Sequence, residues 1–156
     1  MTTSAKRLTA ALLLAAWIGA ALITVAVVAP GAFAVLPSRT MAGQMVGAVL
    51  PAVFLSGIVI GLVTVALMGL ARDRYVPAIT ALCSVAACSV AQFLINPKIA
   101  RLRDEIHGPV DALSPDDVRR VAFGLLHGYS VAGLGVAMLA STLSLAFILY
   151  SPRQTS

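Results

Sequence analysis

Charge is scarce in this sequence. Only 11% of its 156 residues are Asp, Glu, Lys or Arg, where a soluble domain carries roughly 25%. There are six acids, and none lies inside a long apolar run. An intramembrane carboxylate relay of the proton-pump kind is therefore unsupported. Cysteine occurs twice, at Cys83 and Cys88. Five residues apart on a helix, the two do not share a face well, and they read as small apolar side chains rather than as a disulfide or metal pair. No hydrolase elbow, phosphate loop, dinucleotide fingerprint or zinc-protease motif occurs, which points away from an enzyme. The net charge of +5 comes from basic residues at helix ends without interleaved aromatics. This patterning fits membrane anchoring, and no nucleic-acid partner is expected.

What is present is long apolar sequence. Sixty per cent of the chain is hydrophobic, and the charges fall in short clusters separated by uncharged runs. A spanning helix needs about 20 apolar residues for a bilayer core of about 30 Å. Four runs qualify, at about 8–36, 43–70, 75–96 and 121–150. They predict an all-α, four-transmembrane-helix bundle in one domain, with both termini on the same side. The expected setting is the cell membrane, with multi-pass topology, and the inner membrane if the source is bacterial. The lipid bilayer is the first partner, and a homo-oligomer or a larger membrane complex is the second.

The first run follows a short basic start, Lys6-Arg7, and contains an Ala32-Phe33-Ala34 string that matches a signal-peptidase pattern. It is too long for a signal h-region of 7–15 residues and reads as a retained helix. Pro30 and Gly31 are expected to loosen its far end. Trp17 reads as a packing residue. In the second run Gly43 and Gly47, and Gly57 and Gly61, stand four apart, a spacing that lets helices approach closely in lipid. Pro51 removes one backbone donor there. Tyr75 and Tyr150 suit the headgroup level at the same face.

The longest polar stretch, residues 97–120, joins the third and fourth runs. Pro97 biases Asn96 away from helix, so the third helix is expected to end there. Arg101 and Glu105 are spaced to pair. Ser114-Pro115-Asp116-Asp117 reads as a helix start, with serine as the cap and proline at the first position. The fourth helix would then begin outside the lipid and make an extended hairpin with the third. Basic residues divide five (Lys6, Arg7, Arg72, Arg74, Arg153) against six (Arg39, Lys98, Arg101, Arg103, Arg119, Arg120) between the faces. That gives little orientation signal beyond a lean toward the N-terminus inside.

His127 is the leading functional candidate. Polar groups in membrane helices face the interior or a cavity, and Gly124 and Gly128 flank it at the close-packing spacing. It reads as a hydrogen-bonding residue between helices, as a proton or substrate contact, or as a haem or metal ligand. His107, in the link, reads as a surface residue that would join His127 at a b-type haem only if the link folded back. No cofactor is expected. By depth, Gln44, Gln92, Asn96, His127 and Ser130 should lie near the same end of the bundle, either as a hydrogen-bonded clasp or as the mouth of a small pocket. Arg101, Arg119 and Arg120 would rim it and attract an anion or a lipid headgroup.

Several strings carry a family resemblance: Gly31-Ala32-Phe33-x-x-Leu36-Pro37, Ala42-Gly43-x-x-x-Gly47-x-x-Leu50-Pro51, Asn96-Pro97, and Phe123-x-x-x-His127-Gly128-x-Ser130. Together they make the chain similar, over roughly residues 8–149, to small four-helix membrane proteins that include eukaryotic transmembrane protein 205 and many bacterial domains of unknown function. The resemblance implies the fold and no particular chemistry. Many members of that family have an acid where this chain has Asn96, and an asparagine where it has Leu134. The expected role is an uncharacterised, non-enzymatic scaffold or accessory subunit. The alternatives are a small transporter or channel subunit with a polar pocket around His127, and a haem-binding membrane protein.

Overall fold

The computed structural model describes residues 2–69 and 75–150. Arg72, Arg74 and Arg153, counted among the basic residues of one face, lie outside the described residues. Four helices are long and apolar enough to cross a membrane: α1 (Thr3–Val35), α2 (Arg39–Met68), α3 (Tyr75–Ile106) and α4 (Val118–Tyr150). The chain is an all-α, multi-pass membrane protein. Each helix packs on its neighbours in sequence, and α1 also packs on α4, so the four close into a ring.

Local chemistry sets the helix ends. Thr2 caps α1 by accepting from the Ala5 N–H at 3.3 Å, and Ser38 caps α2 through Met41 at 3.2 Å. Gly69, with φ of 69°, ends α2 in a conformation that suits glycine. Two wide π-helical turns interrupt the helices, Thr24–Val28 in α1 and Val90–Ile95 in α3. Each stands just before a proline, Pro30 and Pro97. Proline lacks an N–H and its ring crowds the carbonyl four residues back. A π turn shifts the acceptors by one residue and lets the helix continue.

This corrects two boundaries. Asn96 is helical, with φ −55° and ψ −43°, and α3 runs on to Ile106 rather than ending at Asn96. The fourth helix starts at Val118, and its cap is not Ser114. Asp117 takes that place, accepting from the Arg119 backbone N–H at 2.8 Å. The non-helical part of the expected 97–120 link shrinks to residues 107–117, with one short 3-10 turn at Val110–Ala112.

The packed core fills the middle of the bundle and the end near the termini, with a smaller cluster of Ala32, Ala42 and Val46 between α1 and α2 at the other end. The Trp17 indole N–H donates to the Val53 carbonyl at 2.9 Å, tying α1 to α2. The Ser141 hydroxyl donates to Ser84 at 2.9 Å, and the Ser144 hydroxyl to the Pro77 carbonyl at 2.8 Å, tying α4 to α3. Thr24, Thr64, Thr80 and Thr142 return their hydroxyls to carbonyls of their own helices. In lipid no water would satisfy them, so these bonds supply the hydroxyls with partners. Of the two glycine pairs in α2, the second makes the close approach. A Cβ on Gly57 would stand 2.8 Å from the Trp17 ring and 2.9 Å from the Cys88 sulfur, and one on Gly61 would overlap Val85.

Gly57→Ala is expected to destabilise the purified protein by about 1–3 kcal/mol through overpacking. Gly135→Ala, where nothing stands within 4 Å, should leave stability unchanged or slightly raised. Thermal unfolding in detergent checks both.

Candidate functional site

At the end of the bundle away from the termini the helices separate around a cavity of about 620 Å³. Three helices each give it a stripe at helical spacing. From α2 come Arg39, Gly43, Gln44, Gly47 and Pro51. From α3 come Gln92, Asn96, Ile99 and Arg103, and from α4 come Arg120, Phe123, His127 and Ser130. Residues three, four, seven and ten or eleven apart share a helix face. Continuity of α3 through Pro97 is therefore what puts Arg103 in line with Gln92 and Asn96. Phe33 is the contribution of α1, and Gly108, Val110 and Asp111 of the link form the outer roof.

The five polar residues expected at one end, Gln44, Gln92, Asn96, His127 and Ser130, all line this cavity. They do not bond to one another across helices. Asn96 Nδ2 donates to Gln92 Oε1 at 3.1 Å. These two residues are one turn apart on α3, so they satisfy each other before either reaches a neighbour. Gln44 and His127 are exposed at the wall. Ser130 is 2% exposed, and its Oγ is buried without a hydrogen-bond partner. A Cβ added at Gly124 or Gly128 would meet nothing within 4 Å, so neither glycine makes a close helix contact. Gly124 instead leaves space in the cavity wall.

Of the three rim arginines expected, only Arg120 lines the cavity. Its Nη1 donates to the Leu113 carbonyl at 2.7 Å, which ties the link to α4. Arg119 turns outward and grips Asp117 with Nη2 to Oδ2 at 2.8 Å and Nε to Oδ1 at 3.1 Å. That side-chain contact, followed by the backbone N–H of Arg119, holds the Asp117 carboxyl down to about 2. Arg101 is exposed and absent from the cavity wall. It forms no ion pair with Glu105, and the pairing expected from their spacing is not made.

Two arginines that sequence reasoning misses take part. Arg39 lies at the start of α2. Arg103 lies near the end of α3 with its guanidinium carbon 5.8 Å from the Phe123 ring centroid, within cation–π range. Its Nη1 stands 3.6 Å from where a Gly47 side chain would begin, an ordinary contact distance, so the guanidinium lies along the α2 wall. Pro51 withholds the N–H that the Gly47 carbonyl would receive in a regular helix, which leaves an acceptor on this wall. His107, in a left-handed conformation with φ of 52°, places Nδ1 3.0 Å from the Glu105 carbonyl. It lines a shallow outer depression with Asp104 and Pro109, not the larger cavity that holds His127. Among the described residues no group of three or more His, Cys, Asp or Glu is placed to hold a metal ion.

A family model described as a domain of unknown function, DUF4149, matches residues 12–108. The match takes in the α2 and α3 walls and stops before α4. No curated protein and no solved structure matches the chain.

In a background lacking Cys83 and Cys88, a cysteine placed by His127→Cys should react with a membrane-impermeant maleimide from the face opposite the N-terminus. Ser141→Cys, buried against Ser84, should stay unlabelled from either face. Labelling of sealed vesicles of each orientation reads both outcomes.

Proposed function

The chain belongs to the DUF4149 family, and from that premise we propose that it is a non-enzymatic accessory subunit that holds a ligand at one membrane face. The observation that carries this reading is a single-ended cavity. Its wall ends at the level of Leu50, Pro51, Gln92 and Ser130. Beyond that level Trp17, Val53, Phe54, Cys88 and Leu134 pack into one buried cluster, and a second cluster of Leu14, Met68, Ala78 and Ile148 follows. A solute in the cavity meets packed side chains rather than a path.

Binding suits the lining better than catalysis. Ser130 is the one hydroxyl at the inner end, and no base lies within hydrogen-bond reach of its Oγ. A nucleophile needs such a base at about 2.6–3.2 Å. The similarity of the local strings to eukaryotic transmembrane protein 205 belongs to the same proposal, and supports a shared bundle rather than a shared chemistry.

A transporter reading has one observation in its favour. Pro51 breaks the hydrogen-bond ladder of α2 beside the cavity, and interrupted helices supply backbone ligands in transporters. Four spans are few for a monomeric carrier, so such a role would require oligomers.

Flux separates the two. Purified protein reconstituted in vesicles should move no radiolabelled chloride or phosphate, and no protons read by an internal pH dye, above protein-free vesicles. Uptake that disappears in His127→Ala would overturn the accessory reading in favour of transport.

A further inference from the structure

We propose that the cavity holds one anionic phospholipid, with its phosphate among Arg39, Arg103 and Arg120 and the upper part of an acyl chain running inward toward Leu50 and Ser130. This deepens the reading of the cavity as a ligand site and rests on it.

The cavity is graded along the membrane normal. Each of its three main helices places an arginine at the outer end: Arg39 opens α2, Arg103 stands one turn before the end of α3, and Arg120 lies in the first turn of α4. From Arg120 to Ser130 is ten residues, about 15 Å at 1.5 Å per residue. That distance takes the wall from headgroup level into the hydrocarbon. Along it the lining changes from guanidinium groups to Gln44, Asn96 and His127, and then to Val46, Leu50 and Pro51, with Gln92 and Ser130 beside them at the inner end. A ligand that matches this gradient is anionic at one end and apolar at the other.

The charge at the outer end is not neutralised by the protein. Against three arginines the wall sets one carboxylate, Asp111. Arg103 has its guanidinium over Phe123 and Gly47, and no carboxylate within ion-pair distance among the described residues. Basic pockets between membrane helices bind phosphorylated lipid heads for this reason, and planar guanidinium groups match phosphate oxygens two at a time.

The cavity also has a lateral route of entry, which suits a lipid. The link roofs the outer end through Gly108, Val110 and Asp111, and Arg120 pins it by its bond to Leu113. Near the termini α1 packs on α4, but its last stretch, Ala29–Val35, packs chiefly on α2. The ring therefore loosens on the α1–α4 side at cavity depth, where Gly124 and His127 are exposed. Phe33 stands at that gap, half-exposed. A chain can enter there from the bilayer.

Native mass spectrometry of the full chain tests this, with phosphatidylglycerol and phosphatidylcholine of matched acyl chains as probes. One phosphatidylglycerol should be retained through delipidating detergent, and phosphatidylcholine should not. Arg103→Gln and Arg120→Gln should each weaken retention about five- to tenfold, as expected for one cationic contact near the surface. Arg101→Gln and Arg119→Gln, whose side chains lie off the wall, should leave it unchanged. Unfolding curves of each variant confirm that the bundle is intact, and Arg103→Lys, which keeps the charge, should recover part of the loss. Equal retention of the two lipids, or equal loss in the Arg101 and Arg103 variants, overturns the proposal. So does displacement of the lipid by millimolar inorganic phosphate, which would mark a small-anion site. None of these results depends on flux, so the lipid can fail while the accessory reading stands, and the reverse.

Discussion

The contact of the Trp17 indole with Gly57 is the one on which the rest of the bundle depends. Glycine at 57 lets the edge of the ring come close to the α2 backbone, with the Cys88 sulfur at the same spot from α3. The indole N–H is then satisfied by the Val53 carbonyl one turn away. An indole in hydrocarbon without that acceptor would cost several kcal/mol. Three helices are held together at mid-depth by one ring, one missing side chain and one hydrogen bond. With Gly61 against Val85 a turn further on, α2 and α3 are fixed closely in that half of the molecule.

What the packed half allows is an open half. Toward the other end a small cluster of Ala32, Ala42 and Val46 still joins α1 to α2, while α2, α3 and α4 face one another with arginines. Arg39, Arg103 and Arg120 are bulky, like-charged and directed to a common space. They exclude the close packing that Gly57 and Gly61 permit. The wide turns before Pro30 and Pro97 lie at the start of this half in both α1 and α3. They let each helix pass its proline without breaking, so the polar stripe of α3 continues beyond the membrane instead of dissolving into loop.

Much of this was legible in the sequence, and the residues that were not have physical reasons. Four apolar runs became four helices because lipid leaves the backbone no other satisfied conformation. Depth alone brought Gln44, Gln92, Asn96, His127 and Ser130 to one cavity, because up-and-down connectivity makes the start of one helix level with the end of the previous one. Arg103 was hidden by Pro97. A proline rule that ends the helix at Asn96 removes the register that places Arg103 eleven residues beyond Gln92 on the same face. Arg101 was chosen on the same loss of register, whereas Arg119 was chosen by depth alone and stands one residue off the face that carries Arg120; both fall outside the wall. Glycine spacing was ambiguous for a different reason. Gly57 and Gly61 make close contacts, whereas Gly124 and Gly128, equally spaced, face nothing within 4 Å. Spacing states that one face is small, and only the neighbouring helix decides whether the face is filled.

The same division explains why the polar residues bind so little of one another. A membrane bundle that needed Gln92, Asn96 and His127 for its stability would join them across helices, as it joins Ser84 to Ser141 in the packed half. Instead Asn96 turns to Gln92 on its own helix, His127 has no hydrogen-bond partner among the described residues, and the Ser130 hydroxyl is left unmet. Interhelical hydrogen bonds in membranes contribute only about 0.6–2 kcal/mol each, so the fold loses little by leaving these groups apart. A buried hydroxyl without a partner still carries a desolvation cost of about 1–3 kcal/mol. A turn of the Ser130 side chain toward a carbonyl of its own helix removes that cost without moving the backbone, so the bundle can leave the polar wall of the cavity unjoined across helices.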